Sequence, residues 1–421
     1  MNVDSALEVR SCKVETVTSA HVASPGATDR RLTLLAHLHM QRDITAERLE
    51  YREPMADFPG RQVDIPKLKR GGVGCIWLSE GAPGEFTVDP MRALHATVQP
   101  STQMFRRTFF EGASGVQRLL RGFDAVRRLC AGSEDLEFVT STPEIRAAAA
   151  AGKTAVLIHT ENLLMAEDLS MLRAYHELGL RVTGLVHGAP QSWIDCDCEQ
   201  HVPSGLTDFG REVVRELNRL GILMDVSHAS MSAIDHVLEE SRDPIVASHS
   251  NPKAISPIQR NLTDDHIRRI ADGGGVVGIH CSSAFVDIEC QRGRGEGPGI
   301  SASERERGMQ LLDDVRSGRL DPFAAEAGAR KGAAKPLYQR FPTVGLDALV
   351  DVVDYMVNVA GYEHVGIGTD FEFLEDVIEG FSGAHETPQL LDALEARGYS
   401  GRQVDAIAGE NFMRVMAEVI D

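Results

Sequence analysis

The stretch from residue 222 to residue 250 constrains the fold more than any other part of the chain. It contains two short apolar runs, ILMDVS and PIVAS, which end on His228 and His249 respectively. Between the runs lie apolar residues near helical spacing, which predicts a strand–helix–strand unit of a parallel sheet. Because the carboxyl ends of parallel strands open on one face, we expect both imidazoles to lie at the same mouth.

Six further apolar runs have the same character, and helix-patterned stretches separate them. They cover residues 32–40, 71–79, 154–160, 181–187, 275–281 and 364–370. Eight strands alternating with helices predict an α/β fold, a (β/α)8 TIM-type barrel with its site at the carboxyl ends of the strands. We expect residues 31–421 to form this single domain, and the polar, unpatterned residues 1–30 to form an N-terminal arm.

Histidines or carboxylates lie at the ends of six of these strands. His37 and His39 are two residues apart in the first run, so both side chains face the same side of a strand. Glu161 follows the third run, His187 ends the fourth, and Asp370 ends the eighth. With His228 and His249, this set can hold two divalent ions, with the carboxylate of Glu161 as a bridge. Ligands rich in imidazole favour zinc or a similar transition metal.

Two such ions predict a reaction class. A hydroxide held between them is nucleophilic near neutral pH, because metal binding lowers the pKa of water. The predicted chemistry is therefore hydrolysis at a carbonyl or a related carbon.

Composition narrows the partners and the compartment. The formal net charge of -19 disfavours nucleic acid and anionic membrane surfaces, which both attract basic proteins. The charged N-terminus lacks the apolar core of a signal peptide, and no apolar run has the length of a membrane span. The seven cysteines are odd in number and scattered, so we expect reduced thiols and a cytoplasmic location.

Several longer motifs resemble the membrane (renal) dipeptidase family, peptidase family M19, within the amidohydrolase-like barrels. They are DIPKLKRGGVG, GLTDFGREVVRELNRLGILMDVSHAS, PIVASHSNP, QRNLTDD, HVGIGTDF and GENFMRVM. The resemblance runs from about residue 32 to the C-terminus. It implies a zinc dipeptidase that cleaves the peptide bond of a dipeptide or dipeptide-like small molecule with a metal-bound hydroxide, and it suggests a homodimer.

The resemblance also implies a role for each site residue. The metal ligands would be His37 and His39 for one ion, His228 and His249 for the other, and Glu161 as the bridge. His187 would face the substrate carbonyl and stabilise the oxyanion. Arg260, in QRNLTDD, would pair with the terminal carboxylate of the substrate. Asp370 would bind the free amino group and help to move a proton to the leaving amine.

Three stretches depart from the family pattern. Where the family has Asp-x-His-x-Asp, the chain has LAHLH, so that the neutral His39 replaces a carboxylate and a single ion becomes an alternative to two. The family's Glu-Gly-Gly-His reads ENLL from Glu161. Its Asp-Phe-Asp-Gly reads DFEF from Asp370, a change that we expect to crowd the pocket. The loop HGAPQSWIDCDCEQ also differs and is expected to bring Cys196 and Cys198 near the mouth as loop thiols.

Two other functions stay open. One is a small-molecule amidohydrolase of a biosynthetic pathway with an altered metal site, since His-x-His on the first strand is the commoner pattern in the wider superfamily. The other is a catalytically inactive barrel that acts as a binding protein. The presence of His187, Arg260 and Asp370 favours the dipeptidase, because these residues serve a substrate with free amino and carboxyl ends.

Overall fold

A computed structural model describes residues 31–40, 62–80, 114–165, 167–188, 190–197, 205–295, 310, 319, 341–372, 374 and 376–421. All of them belong to one compact unit, residues 31–421. The predicted arm and most of the insertion at 291–335 lie outside the described residues, so the boundary of the arm stays a prediction. None of the helices in the described ranges is long and apolar enough to cross a membrane.

In the part of the chain that the structure describes, nine parallel strands form one sheet, and eight of them close into a barrel. The strands are β1 (Thr33–Leu38), β2 (Val73–Glu80), β3 (Leu136–Phe138), β4 (Thr154–Thr160), β5 (Leu180–Gly184), β6 (Leu223–Asp225), β7 (Val246–Ala247), β8 (Val276–Ile279) and β9 (Val365–Phe371). The ring runs β1-β2-β4-β5-β6-β7-β8-β9 and closes where β9 pairs with β1. The short β3 pairs with the start of β4. The predicted (β/α)8 barrel is therefore confirmed.

Helices follow the strands, and the side chains of the last helix pack against the inner apolar cluster of the barrel. They are α1 (Ile65–Arg70), α2 (Gly115–Ala131), α3 (Thr142–Ala150), α4 (Leu169–Glu177), α5 (Asp208–Leu220), α6 (Met231–Glu240), α7 (Asp264–Asp272), α8 (Ser283–Val286), α9 (Ile288–Gly295), α10 (Leu346–Ala360), α11 (Thr387–Arg397), α12 (Gly401–Asp405) and α13 (Asn411–Val419). Two 3-10 turns, Tyr362–His364 and Ala384–Glu386, precede β9 and α11, and a π-helical turn, Ala406–Glu410, joins α12 to α13.

Local chemistry sets the bounds of α5, the helix that leads into the central strand pair. The side chain of Thr207 accepts a hydrogen bond from the N–H of Gly210 at 3.2 Å and so caps the first turn. Val213 and Leu217, four residues apart, are fully buried against the barrel. The helix ends at Gly221, whose φ of 67° suits glycine. α5 therefore delivers the chain to β6, and the loop after β6 carries His228.

The interior of the barrel changes from apolar to polar along the strands. Its apolar inner cluster contains Leu34, Ala36, Cys75, Trp77, Ala155, Leu157, Val182, Leu223, Val246 and Val276. A second apolar cluster lies between the strands and the helices. Nearer the carboxyl ends, the buried His159, Asp225 and Ser248 follow the apolar residues of β4, β6 and β7. This polar layer forms the floor of the site.

Candidate metal centre

An irregularity in β1 brings His37 and His39 into the barrel. Ala36 belongs to the inner cluster, whereas Leu35 and Leu38 belong to the outer one, so the alternation of faces shifts by one residue. The strand register shifts at the same place, and His37 has a left-handed backbone with a φ of 54°. The Nε2 atoms of the two histidines lie 3.0 Å apart. A regular strand would have turned both imidazoles away from the site.

Glu161, just after β4, lies between two groups of histidines. Its Oε1 is 3.6 Å from Nε2 of His37, 3.5 Å from Nε2 of His228 and 3.3 Å from Nε2 of His187. Burial alone would raise the pKa of Glu161, but the charges of the surrounding histidines lower the pKa well below its usual range. The carboxylate is thus ionised, with two oxygens that can bridge two cations.

His228 and His249 meet on the other side of Glu161. Their Nε2 atoms are 3.2 Å apart, and Nδ1 of His249 lies 2.7 Å from Oγ of Ser248. Burial lowers the pKa of His249 well below that of a free imidazole. The ring is therefore neutral, which is the form that binds metals.

Asp370, near the end of β9, touches the first pair of histidines. Its Oδ1 lies 3.4 Å from Nε2 of His37 and 3.4 Å from Nε2 of His39. Burial lowers the pKa of His39 to about 4, so this imidazole is neutral too. His37, His228 and Asp370 all have positive φ, at 54°, 70° and 55°. Such backbone conformations are uncommon for residues other than glycine and cluster at functional sites.

The donor atoms of these residues fit divalent transition metals. Among the described residues, three sets converge within 4.8 Å: His37, His39 and Glu161; Glu161, His187 and His228; and His37, Asp225 and His249. All the donors are imidazole nitrogens or carboxylate oxygens, the combination that zinc and related ions prefer. The first two sets share Glu161.

The structure brings together all the residues that the sequence singles out. Seven of them form one cluster: His37, His39, Glu161, His187, His228, His249 and Asp370. The eighth, Arg260, lies beside it, because its Nη2 donates to the carbonyl of His249 at 2.8 Å. The individual roles of these residues stay predictions.

Three further residues complete the site, and the sequence analysis gave them no role. Asp225, at the end of β6, accepts hydrogen bonds from the N–H of Ser227 at 3.0 Å and of Ser248 at 2.8 Å. His280, just after β8, lies 3.2 Å from Oδ2 of Asp370. Both stand at strand ends, so the strand-end rule could have found them. The third, Asp197, lies in a loop where no periodic pattern marks it.

One expectation is corrected by the structure, and a second depends on a residue outside the described ranges. Cys196 is disulfide-bonded rather than reduced, and its partner lies outside the described residues, as does Cys198. Phe371, which the family pattern shares, is fully buried in the outer cluster, whereas Phe373, which replaces the family's glycine and is expected to crowd the pocket, lies outside the described residues. The carboxylate of Glu372 is bound to the backbone, since it accepts hydrogen bonds from the N–H of Gln62 at 2.7 Å and from the N–H of Val63 at 2.8 Å.

Comparison with known protein families identifies the family to which this barrel belongs. The model of the family described as "Membrane dipeptidase (Peptidase family M19)" matches residues 21–421. The chain belongs to the membrane dipeptidase family. Membership makes it a metal-dependent hydrolase of the dipeptidase type, as the sequence motifs predicted.

The similarity to other members of the M19 family covers most of the chain. Dipeptidase tcpJ of Claviceps purpurea (strain 20.1) is 25% identical over 374 residues, which are 88% of this chain and 72% of that protein. The structure of the probable dipeptidase PvdM from Pseudomonas aeruginosa has 26% sequence identity and a TM-score of 0.68, and covers 93% of this chain and 96% of its own. A metallopeptidase from Rhodobacter sphaeroides, liganded with a phosphinate mimic of L-Ala-D-Ala, shares the fold at 22% identity, with a TM-score of 0.68 over 93% and 100% of the two chains.

Proposed function

We propose that the chain is a dipeptidase with two zinc ions bridged by Glu161, and that it acts on a dipeptide or a dipeptide-like small molecule. The observation that best supports two ions is that Oε1 of Glu161 lies within 3.6 Å of imidazole nitrogens from three separate strand ends. Membership of the M19 family supports the substrate class. His37 and His39 would hold one ion, and His228 and His249 the other.

When bound, the ions supply a nucleophilic water by lowering its pKa. The remaining steps belong to side chains. His187, whose Nε2 lies 3.3 Å from Glu161, donates a hydrogen bond to the substrate carbonyl as its oxygen becomes negative. Asp370 accepts the proton that the attacking water loses and delivers it to the leaving nitrogen. In the role that the resemblance implies, Asp370 also binds the free amino group.

Metal analysis paired with a dipeptide assay tests this proposal. Protein purified without chelator should contain two zinc ions per chain and hydrolyse dipeptides. Glu161→Gln should lose metal and turnover, because the bridging carboxylate becomes a neutral amide. Glu418→Gln, with the same change on the exposed side of α13, should behave as the wild type. If metal-replete protein hydrolysed none of a broad panel of amides, that result would contradict the proposal that the chain is a hydrolase.

The contact of Asp370 with two histidines supports a second candidate function, that of a mononuclear amidohydrolase acting on small molecules. Oδ1 of Asp370 lies 3.4 Å from Nε2 of both His37 and His39. The two Nε2 atoms are 3.0 Å apart, so these three donor atoms are close enough together that they would hold one ion. One metal per chain, lost in Asp370→Asn, together with no dipeptide turnover would favour this second function. Failure to bind any metal would leave only a binding protein.

A further inference from the structure

Arg260 lies beneath the mouth of the site, and each of its two terminal nitrogens donates one hydrogen bond. Its Nη1 donates to Oγ of Ser250 at 2.7 Å, and its Nη2 donates to the carbonyl of His249 at 2.8 Å. The side chain is 9% exposed. These two bonds fix the plane of the guanidinium against the end of β7, so the cation cannot move away to meet a ligand elsewhere.

A carboxylate of the chain itself already faces this cation. Oδ2 of Asp197 lies 3.3 Å from Nε of Arg260 and 3.6 Å from Nδ1 of His228. The backbone holds Asp197 in place, because its N–H donates to the carbonyl of His228 at 2.8 Å. The neighbouring Cys196 forms a strand bridge with Ala229. The loop after β5 is therefore joined to the loop after β6 just where its carboxylate reaches the site.

The pair of Asp197 and Arg260 is formally neutral. The carboxylate of Asp197 and the guanidinium of Arg260 carry opposite charges and lie within ion-pair distance, so they compensate one another. A carboxylate of a substrate that approached Arg260 would meet a second negative charge at the same cation. An uncharged carbonyl group of a substrate would bring no second negative charge to Arg260. Its oxygen can accept hydrogen bonds from the guanidinium N–H groups that the protein leaves available.

We propose that Asp197 is a specificity-determining residue, which occupies the counter-ion position at Arg260 and selects substrates whose carboxyl end is uncharged. The substrate class is a dipeptide-like molecule with an amide or ester at that end. This inference rests on the proposed function of the same site. It differs from the role that the family resemblance implies for Arg260, the binding of a free terminal carboxylate.

A matched pair of inhibitors tests the inference without the need for turnover. The probes are two phosphinate mimics of one dipeptide, one with a free carboxylate and one with a carboxamide, titrated calorimetrically into metal-loaded protein. The wild type should bind the carboxamide more tightly than the acid by about tenfold or more, because like charges are kept apart. Asp197→Asn should remove or reverse this preference, and Asp197→Glu should retain it. Asp272→Asn, which removes one exposed charge at the end of α7, should bind as the wild type does.

The ratio of the dissociation constants of the two probes distinguishes a role of Asp197 in specificity from a role limited to positioning His228. A structural role would weaken both probes equally in Asp197→Asn and leave the ratio unchanged, and that result would overturn the inference. Tighter binding of the acid by the wild type, or binding of neither probe, would overturn it too. Hydrolysis of the corresponding acid and amide dipeptides is measured on the same preparations. Its absence would contradict the proposed hydrolase, whereas the binding ratio would still decide the role of Asp197.

Discussion

At the scale of single residues, His280 determines how the carboxylate of Asp370 is held. The N–H of Ser282 donates to Nδ1 of His280 at 3.1 Å, so the proton of the neutral ring is on Nε2. That proton points at Oδ2 of Asp370, 3.2 Å away. The ring is also stacked on Phe285, with centroids 3.9 Å apart. Oδ1 of Asp370 is thereby directed towards His37 and His39, the proposed ligands of one ion.

We predict that His280→Ala lowers kcat/KM for the best substrate by about 10- to 100-fold, the usual effect of removing an outer partner of a metal site. His280→Gln can still donate to Asp370 and should recover part of the loss. Steady-state kinetics on metal-replete protein measures the effect, with thermal unfolding as a control for folding. Equal activity of the alanine variant and the wild type would show that Asp370 does not depend on this hydrogen bond.

At the scale of secondary-structure elements, β9 approaches the end of β7 so closely that only glycine fits. A Cβ added to Gly368 would lie 1.7 Å from the carbonyl oxygen of Ser248, the residue before His249. Any side chain there must displace the backbone that presents a metal ligand. The packing of two strands and the geometry of the site thus depend on the same contact.

We predict that Gly368→Ala lowers the free energy of unfolding by about 1–3 kcal/mol, as overpacking of a buried position does, and reduces metal occupancy. Gly401→Ala is the matched control, since a Cβ at Gly401 meets nothing within 4 Å. Urea unfolding and metal analysis measure both effects. A Gly368 variant as stable as the control would mean that the strands separate without cost.

An ion pair joins α4 to α5 on the outside of the barrel. Glu216 accepts hydrogen bonds from Arg219 at 2.7 Å and from Arg173 at 2.8 Å. The bond with Arg219 is the larger cause, and together they lower the pKa of Glu216 from 4.5 to about 2. Because the folded pKa lies below the unfolded one, the stabilisation is complete above about pH 4.5 and is lost as the pH falls towards 2.

We predict that Glu216→Gln lowers the free energy of unfolding at pH 7 by about 0.5–1 kcal/mol, the usual size for such exposed pairs. The difference from the wild type should shrink between pH 4.5 and pH 2, where the wild-type carboxylate becomes protonated. Denaturant unfolding across this range measures it, and Glu212→Gln, exposed on the same helix, is the control. A difference that is independent of pH would contradict the assignment.

At the scale of the whole molecule, the proposed metal ligands are distributed around the barrel. They come from β1, from the end of β4 and from the loops after β6 and β7. Ions bound there hold strands that are distant in sequence. Metal binding therefore contributes to the stability of the folded barrel, because the unfolded chain does not present these ligands together.

Removal of metal with a chelator should lower Tm by about 5 °C or more. Glu161→Gln, which is expected to bind metal poorly, should shift much less under the same treatment. Differential scanning calorimetry before and after chelation, with zinc added back, measures both proteins. The same Tm for the apo and reconstituted wild type would contradict this link.

The barrel and most of its site could be predicted because both follow from simple periodicities. Apolar runs separated by helix-patterned stretches give parallel strands, and parallel strands gather their carboxyl ends, as His228 and His249 illustrate. The shift of faces at His37 could not be predicted, because a bulge leaves no composition signal. Asp197 was missed for a related reason, since its position depends on backbone pairing between two loops. A cytoplasmic location and a homodimer stay predictions.

The direct pairing of β2 with β4 has a consequence for how this chain tolerates change. The described parts of the stretch between them, α2, β3 and α3, lie outside the ring, so the ring closes without a contribution from that stretch. Additions at exposed positions of that stretch leave the strand order of the ring unchanged, whereas the buried side chains of α2 and α3 limit what can be deleted. For protein engineers, that stretch is the place to graft a reporter or a second binding module.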